Sequence, residues 1–291
     1  MAGTLFVVAT PIGNLEDMTF RAVRVLREAA VVAAEDTRRT GLLLHHFGIS
    51  VPLISLHEHN EGQRAELLIS RLNRGESVAL VTDAGTPAVS DPGAKLVAAA
   101  AAAGIRVEPI PGASAVMAAL SASGAEGEGF SFLGFPPVKS KDRKLWFDRF
   151  IQARFLRPVV FFEAPHRVIR TLGELSVLSN DQLIVFRELT KLHESVYRGN
   201  AAEILASLDV IAGEFTIVAP QNTVDPSARE RPKDEQIVAM FGRITDKWGR
   251  AAAREVAGAT GLSANEVYEI VRRAKDLTAE PPPAEKAKDG S

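Results

Sequence analysis

The sequence predicts an α/β protein built from two α/β domains followed by a helix-turn-helix-like helical module. Three observations support this fold class. Apolar runs alternate with helical patterns up to about residue 125, a second alternation follows, and three helical patterns come after a polar, proline-rich stretch. Continuous apolar strands separated by helices are typical of a parallel sheet covered on both faces. At 291 residues the chain is also longer than one ordinary domain.

The first α/β domain is predicted over residues 1–125. Its strands are the runs TLFVVATP, VVAAED, PLISLHEH, SVALVTD and RVEPIPG. The helical patterns beside them are TFRAVRVLREA, RTGLLLHHFG, QRAELLISRLNRG, DPGAKLVAAAAAAG and ASAVMAALSASG. The stretch SGAEGEG then ends the domain, because clustered glycines favour loops.

The second α/β domain is predicted over residues 130–220, with a helical module after it. Its strands are RPVVFFEAP, QLIVFREL and GEFTIVAP, and its helices are RVIRTLGELSVL and NAAEILASL. Residues 221–233 are predicted to be a linker, 234–277 the module and 278–291 a disordered tail. Within the module, Ser263 and Glu266 have the spacing of a capping box directly after Gly261.

The composition excludes several classes of protein. The chain has no cysteine, which excludes disulfide scaffolds, thiolate metal sites and cysteine nucleophiles. Its 34 basic and 36 acidic residues give a formal net charge of −2, so a nucleic-acid contact has to come from a local basic patch. We find no basic leader and no long apolar run, and we therefore expect a cytoplasmic protein without membrane contact.

Three unusual loops follow three predicted strands of the first domain. They read ATPIGN, VTDAGTPAVSDPG and PIPGASA, and each combines glycine or proline with hydrogen-bonding side chains. The carboxyl ends of parallel strands share one edge of a sheet, and open α/β sheets bind ligands at that edge. Glycine and proline also form ordinary turns, but three such loops on one edge together favour a single ligand pocket.

Common nucleotide and hydrolase motifs are missing. No G-x-G-x-x-G follows the first strand, and neither G-x-x-x-x-G-K-[ST] nor G-x-S-x-G occurs. The sequence therefore argues against a dinucleotide oxidoreductase, a P-loop NTPase and an α/β-hydrolase.

Eight motifs in order resemble those of one enzyme family. They are LFVVATPIGNLEDMTFRAVRVL, AAEDTRRTGLLLHHFGI, SLHEHNE, VALVTDAGTPAVSDPG, PIPGASAVMAALSASG, FLGFPP, FFEAPHRV and RELTKLHE. They are similar to the successive motifs of the bacterial ribosomal RNA small-subunit methyltransferase I (RsmI) family. The likeness runs from about Leu5 to Gly199, and the terminal helices resemble the family's helix-turn-helix extension.

The resemblance implies a fold, a donor and a reaction. It places the chain in the tetrapyrrole-methylase-like class, whose S-adenosylmethionine donor lies in a cleft between two α/β domains. It implies 2′-O-methylation of a cytidine in the decoding region of 16S rRNA by a homodimer, without a metal. The loop ATPIGNLED lacks the G-x-G-P-G-D pattern of enzymes that methylate porphyrin or corrin precursors, which favours the RNA branch. A small-molecule methylase of the same class and a non-catalytic RNA-binding protein stay open as alternatives.

The resemblance also implies which residues hold the donor. The loop after the fourth strand would wrap its methionine and ribose parts, and residues from three further motifs would contact it. The expected donor-binding residues are Asp83, Gly85, Thr86, Pro87, Ser114, Ala115, Phe162 and Leu189.

The proton acceptor stays open among three residues. Asp36 either accepts the ribose proton or binds the hydroxyl, and Glu163 and Lys191 are alternative acceptors or orienting groups. Taken alone, Asp36 also fits a helix N-terminus, where a carboxylate is favourable. Alignment of the reactants contributes about 7–11 kcal/mol, more than a general base typically does, so an ambiguous base is compatible with the reaction.

Substrate contacts are expected from polar loops and from the strongest local basic segment, VKSKDRKLWFDRFIQARFLR. The expected substrate-binding residues are Asn14, Arg38, Arg39, Lys139, Lys141, Arg143, His166 and Arg167. Trp146, Phe147 and Phe150 share a helical spacing that favours core packing over base stacking. His57 and His59 would share a strand face, but without a third ligand we expect no metal there.

Overall fold

The computed structural model describes residues 2–222, 233–244, 250–260 and 262–278. The chain divides into two compact units. Unit 1 runs to Gly124 and also includes Phe186–Val196, and the other described residues form unit 2. Most of the predicted linker and all of the predicted tail beyond Thr278 lie outside the described residues. Within the described residues, no helix combines the length and apolarity that a membrane span needs.

Unit 1 contains a five-stranded parallel sheet with the order β3-β2-β4-β1-β5. The sequence predicted each of these strands. Their bounds are β1 (Thr4–Val8), β2 (Val31–Ala34), β3 (Leu53–Ser55), β4 (Val78–Val81) and β5 (Arg106–Ile110).

Helices cover both faces of this sheet. They are α1 (Phe20–Glu28), α2 (Thr37–His46), α3 (Glu61–Asn73), α4 (Ala94–Ala102) and α5 (Ala115–Ser123). Alternate residues of β2 enter different cores: Val31 packs with apolar residues of α3 and α4, and Val32 packs with those of α1 and α2. Burial on both sides explains why the strands read as continuous apolar runs.

The strand order creates a switch point between β1 and β4. The connection from β1 leads towards β2 on one side, and the connection from β4 leads past β1 to β5 on the other side. Neighbouring strands whose connections depart in opposite directions leave a crevice at their carboxyl ends, where open α/β sheets bind ligands. The first and second unusual loops begin at this point.

Unit 2 is built around a second five-stranded sheet with the order β6-β7-β10-β8-β9. The strands are β6 (Ser131–Phe132), β7 (Val159–Glu163), β8 (Gln182–Arg187), β9 (Ser195–Asn200) and β10 (Phe215–Ala219). β6 is parallel to β7, and β10 is antiparallel to it. The end of β8 and the start of β9 belong to the segment that is counted with unit 1.

Three helices pack with this sheet: α6 (Ser140–Leu156), α7 (Pro165–Leu178) and α8 (Ala201–Ser207). Trp146, Phe147 and Phe150 of α6 lie in the core with Phe161 of β7. The rings of Trp146 and Phe150 stack with centroids 5.6 Å apart. These aromatic side chains are therefore core residues, as their helical spacing predicted.

The C-terminal module consists of α9 (Asp234–Ile244), α10 (Arg250–Thr260) and α11 (Ala264–Thr278). The amide of Glu266 donates to Ser263 Oγ at 3.2 Å, and the amide of Ser263 donates to Glu266 Oε2 at 2.8 Å, which confirms the capping box. Val177 of α7 is buried in the apolar cluster of these three helices. The module therefore packs against α7 within unit 2.

Candidate active site

The loops after β1 and β4 are joined at the switch point of unit 1. Thr10 and Gly85 exchange two backbone hydrogen bonds, of 2.9 and 3.0 Å, as an isolated antiparallel bridge. The hydroxyl of Thr10 also donates to the carbonyl of Thr82 at 3.2 Å. Gly85 has φ +84°, a conformation that side chains disfavour, so a glycine is needed there. The bridge therefore fixes the backbone at the crevice where a ligand is expected.

Carboxylates connect the ends of β2 and β4 by reciprocal hydrogen bonds. Glu35 accepts from the hydroxyl of Thr82 at 2.7 Å and from the amide of Asp83 at 3.4 Å. Asp83 in turn accepts from the amide of Asp36 at 3.0 Å. Each loop thus uses a side chain to hold the backbone of the other, and this arrangement orients Asp83 in unit 1.

Burial and a neighbouring negative charge raise the pKa values of two carboxyl groups at this edge, Asp83 and Asp91. Burial, followed by the negative charge of Glu35, raises the pKa of Asp83, although Arg39 opposes that shift with an ion pair at 3.2 Å. The same two causes raise the pKa of Asp91 to about 6, against a hydrogen bond from Thr82. The edge therefore concentrates negative charge that a cationic group would stabilise.

Asp36 is the N-cap of α2. Its Oδ1 accepts from the amide of Arg38 at 2.9 Å, and its Oδ2 pairs with the Arg38 guanidinium at 2.8 Å. These contacts hold the pKa of Asp36 far below its usual range and raise that of Arg38. The side chains of Arg38 and Arg39 are 88% and 68% exposed, so both guanidinium groups face solvent.

The loop after β4 is held in an uncommon shape. Ala88 and Ser90 have φ values of +65° and +66°, which non-glycine residues adopt rarely and at a cost. At the far end, the buried carboxylate of Glu61 accepts from the amides of Gly93 and Lys95, each at 2.9 Å. Glu61 thereby caps the start of α4, because the N-cap residue, Gly93, has no side chain that could do so. Pro87 is buried within this loop.

The loop after β5 supplies a further part of the same edge. Thr86 donates its hydroxyl to the carbonyl of Ala113 at 3.3 Å, which joins this loop to the one after β4. Ser114 caps α5 by accepting from the amide of Met117 at 3.4 Å, and Ala115 is the first residue of that helix. The structure thus brings six of the predicted donor-binding residues together in unit 1: Asp83, Gly85, Thr86, Pro87, Ser114 and Ala115.

The returning segment Phe186–Val196 lies against the loop after β1 within unit 1. Thr190 Oγ1 accepts from the amide of Asn14 at 3.2 Å, and Lys191 Nζ pairs with Glu188 at 2.8 Å. Glu188 and Thr190 have φ values of +55° and +66°, so Leu189 sits between two left-handed residues. Gly13, Asn14, Leu15, Thr190, Lys191 and Leu192 line an open depression here.

Glu163 belongs to a buried ion-pair network of unit 2. It accepts from Thr171 Oγ1 and from the amide of Ala164, and it pairs with Arg167 at 2.9 Å. Arg167 also donates to the carbonyl of Pro136 at 3.0 Å. With so many partners and only 1% exposure, Glu163 acts as a structural carboxylate in this arrangement.

Arg143 joins the same network instead of the protein surface. Its guanidinium is bidentate to Glu174, donates to Thr171, and donates to the carbonyl of Pro137 at 3.1 Å. Arg143 is only 3% exposed, so the structure gives it no access to a phosphate. Lys139 and Lys141, in contrast, are exposed. The structure therefore does not support the substrate contact predicted for Arg143, because its charge is already balanced by the buried carboxylate of Glu174.

Two other predicted residues of unit 2 lie at its surface or near it. His166 is exposed in the first turn of α7. Phe162 is half-buried, and its ring lies 5.0 Å from that of Phe132 and 5.4 Å from that of Phe135. Phe162 is therefore part of an aromatic group with one ring, that of Phe135, 47% exposed.

The histidine pair after β3 is organised by hydrogen bonds. The Nε2 atom of His57 lies 3.1 Å from Asn60 Nδ2, and the His57 and His59 rings are 6.0 Å apart. Within the described residues, no group of three or more His, Cys, Asp or Glu is arranged to hold a metal.

Glu35 and Glu61 are site residues that the sequence reasoning did not select. Glu35 acts across 47 positions on Thr82, and Glu61 acts across 32 positions on Gly93. The only sequence signal was that Glu35 lies at the end of a predicted strand and Glu61 lies just before a predicted helix. Their partners depend on strand order, which the sequence alone did not provide.

The sequence matches a methylase family and named bacterial proteins. The model of the Tetrapyrrole (Corrin/Porphyrin) Methylases family matches residues 4–205. A Pseudomonas aeruginosa protein named Ribosomal RNA small subunit methyltransferase I is 50% identical over 279 residues, which cover 92% of this chain and 96% of that protein. A Synechocystis protein of the same name is 42% identical over 275 residues, covering 92% and 97%.

Solved structures share the fold at low sequence identity. Uroporphyrin-III-C-methyltransferase from Thermus thermophilus is 20% identical, with a TM-score of 0.54 over 76% of this chain and 96% of that chain. Diphthine synthase is 17% identical, with a TM-score of 0.55 over 75% and 89%. A Thermus thermophilus uroporphyrin-III C-methyl transferase complexed with S-adenyl homocysteine is 19% identical, with a TM-score of 0.51 over 75% and 97%. These likenesses confirm the predicted fold class.

Proposed function

The chain belongs to the ribosomal RNA small subunit methyltransferase I family, and on that premise we propose that it transfers a methyl group from S-adenosylmethionine to a cytidine 2′-hydroxyl of 16S rRNA. The structural observation that carries the proposal is the bridged switch point of unit 1. There, Thr10 and Gly85 hold two loops together beside the fixed carboxylate of Asp83. This switch point lies at the carboxyl ends of parallel strands, and open α/β sheets bind ligands there.

The electrostatics of this edge suit a cationic donor. S-adenosylmethionine carries a sulfonium and an ammonium group, and bound there it supplies an electrophilic methyl group. Asp83 and Asp91 both have raised pKa values because they are buried near Glu35. A nearby cation favours the ionised form of such carboxyl groups, so donor binding and carboxylate ionisation support each other. The fold neighbour solved with S-adenyl homocysteine supports the same donor class.

Arg38 and Arg39 are proposed to contact the RNA backbone. Both are exposed at the same edge, and a guanidinium matches the geometry of a phosphate. Lys139, Lys141 and His166 extend the proposed contacts on unit 2, where each is exposed. Arg167 supports this surface indirectly, because it anchors the carbonyl of Pro136.

The three candidate proton acceptors, Asp36, Glu163 and Lys191, differ in how well they suit proton transfer. Asp36 is a poor base because its contacts with Arg38 lower its pKa far below neutrality. Glu163 is enclosed by its own partners. We therefore assign Asp36 to orienting Arg38, the proposed phosphate contact, and we propose Lys191, beside Asn14, as the group nearest the reacting hydroxyl. The ammonium group of Lys191 pairs with Glu188, so it orients the hydroxyl oxygen, and the hydroxyl proton leaves to water as the methyl group is transferred. Homodimerisation and a cytoplasmic location are further proposals, which rest on the family resemblance.

The test supplies purified protein with methyl-labelled S-adenosylmethionine and small ribosomal subunits that lack the modification. We expect one 2′-O-methylcytidine in the decoding region, located by mass spectrometry of RNA fragments. Asp83→Asn should lower donor affinity at least about tenfold, because it removes a charge held towards a cationic ligand. Asp17→Asn, an exposed change in the same unit, is the matched control. Methylation of a base, or no labelling of RNA despite donor binding, would contradict the proposal.

A further inference from the structure

A groove in unit 2 separates α6 from the C-terminal helices α10 and α11. We call it the α6–α10 groove; it has a volume of about 340 Å³. Lys141 and Lys144 line it from α6, and Arg254 lines it from α10. Asp148 is the one acidic residue of its lining. The groove therefore has an excess of positive charge, although the chain as a whole has a net charge of −2.

The three cations of the groove are available to a ligand. Lys141, Lys144 and Arg254 are exposed, and none of them forms an ion pair with another residue that the structure describes. Their neighbour Arg143 shows the contrast, because its charge is balanced by the buried Glu174. Sequence patterning could not separate these two kinds of basic residue on one helix. In the structure the two lysines face solvent and the arginine faces the interior.

The floor of the groove is apolar. Leu145 of α6 is 53% exposed there, and Leu262 and Ala257 contribute from the C-terminal module. An apolar surface bordered by cations fits a chain that alternates flat apolar groups with anionic groups. Single-stranded RNA has this chemistry, since its bases have apolar faces and its phosphates are negative.

The walls of the groove are fixed before any ligand arrives. Arg143 ties α6 to α7 through its bidentate contact with Glu174. Val177 of α7 packs into the apolar cluster that contains Ala253 and Val256 of α10. Both walls are thus anchored on the same helix, so ligand binding does not have to assemble them.

We propose that the α6–α10 groove binds a single-stranded segment of RNA, with Lys141, Lys144 and Arg254 on its phosphates and Leu145 beneath a base. This extends the proposed substrate surface from α6 onto the C-terminal module and rests on the proposed function. Phosphate contacts position RNA without reading its sequence. The groove therefore supplies affinity and orientation, and the choice of nucleotide is made elsewhere.

Binding of a short fluorescein-labelled single-stranded RNA to the full chain tests this proposal, with anisotropy measured over a series of salt concentrations. Replacing Lys141, Lys144 and Arg254 together by glutamine should weaken binding at least about tenfold. The salt slope should fall by about 0.7 for each phosphate that the variant no longer neutralises. Arg149→Gln, an exposed change on the same helix, is the control. An unchanged affinity and slope in the triple variant would overturn the proposal.

Two further measurements separate the possible failures. Donor affinity of the triple variant should equal that of the wild type, and RNA containing 4-thiouridine should crosslink to wild-type peptides that include Leu145 or Leu262. Crosslinks confined to other peptides would overturn the proposal, because the RNA would then bind elsewhere. Binding of polyglutamate in preference to RNA would assign the groove to an acidic polypeptide instead. The wild-type protein could bind RNA without methylating it. If the triple substitution then weakens that binding, the proposed function fails and the groove assignment stands.

Discussion

Gly13 is a residue whose missing side chain makes room for a functional segment. A Cβ at this position would overlap Lys191 Cγ and lie 3.0 Å from Thr190 Oγ1. Because Thr190 Oγ1 also accepts from the amide of Asn14, the segment cannot move away without losing that hydrogen bond. Gly13 therefore determines where Lys191 stands in unit 1.

Gly13→Ala should lower the kcat for RNA methylation at least about tenfold while donor affinity changes little, since small displacements of a positioned group are costly. Single-turnover assays and donor titrations measure the two quantities separately. Gly62→Ala is the control, because a Cβ there has no heavy atom within 4 Å and helical Ala is favoured over Gly. A kcat equal to that of the wild type would remove Lys191 from the proposed chemistry.

Asp91 makes stability depend on pH in the opposite direction from a salt-bridged carboxylate. Its pKa is raised to about 6 by burial and by Glu35, so the folded state binds the proton more tightly than the unfolded state. The stabilisation is fully present below the unfolded pKa of about 4 and is lost as the pH rises through about 6. Asp91→Asn should therefore raise the melting temperature near neutral pH and leave it unchanged near about pH 4. Melting curves across this range, with Asp17→Asn as the control, check the sign. Equal shifts at both ends would contradict it.

A residue's environment could be predicted from the sequence when its partners are close in sequence, and not when they are distant. Asp83 and Ser114 stand out in the sequence because glycine, proline and strand patterns surround them. Arg143 looked like its lysine neighbours because its partner Glu174 is 31 positions away. Charge counting identifies a basic segment, but burial decides which of its members reach solvent.

At the scale of elements, a buried ion pair joins α6 to α7 in unit 2. Arg143 and Glu174 are 3% and 1% exposed. Removing one member of a buried pair leaves an uncompensated charge in the interior, which costs about 3–5 kcal/mol. The exposed pair of Arg24 and Glu28 should contribute less than about 1 kcal/mol.

Glu174→Ala should therefore lower the free energy of unfolding by about 3–5 kcal/mol, and Glu28→Ala by less than about 1 kcal/mol. Urea denaturation monitored by tryptophan fluorescence measures the first change, because Trp146 lies in the core of unit 2. Similar losses for both variants would mean that the α6–α7 pair is no stronger than a surface pair. Combining Arg143→Met with Glu174→Met should recover part of the loss, since Arg143 is then no longer left without its partner, while Arg170 still loses its ion pair with Glu174 at 3.4 Å.

The regular elements of unit 1 were predictable because each has a strong local signal. Its strands are buried on both faces, which gives continuous apolar runs. In unit 2, β6 and β9 were not predicted. β6 (Ser131–Phe132) is too short to show a pattern, and β9 reads SVYRGN, with exposed positions at Val196 and Arg198. Their pairing depends on neighbouring strands, which no local pattern reveals.

At the scale of the whole molecule, donor binding should appear as added stability in unit 1. A ligand present at about 100 times its Kd contributes about 2.7 kcal/mol to the state that binds it. Trp146, the tryptophan that the structure describes, belongs to unit 2, so hydrogen exchange is the suitable probe for unit 1. Peptides containing Thr10 or Asp83 should become more protected with S-adenosylmethionine. If S-adenosylmethionine protects these peptides equally well in Asp83→Asn, the donor does not bind at Asp83.

The division of the chain was only partly visible in its composition. A glycine-rich stretch suggested a boundary near Gly124, where the structure also changes unit. The predicted second domain included residues 186–196, which the structure groups with unit 1. Those residues return because Thr190 and Lys191 contact Asn14 and Gly13 across more than 170 positions.

The return of Phe186–Val196 to unit 1 has a consequence for protein engineering. A gene truncated after Gly124 would encode every strand of the first sheet but would lack Lys191, whose stem lies against Gly13. Chimeras made by recombining homologous genes should therefore inherit both stretches from the same parent. A single crossover near Gly124 would combine sequences from both parents within unit 1. Exchanging Phe186–Val196 as well keeps the whole sequence of each unit from one parent.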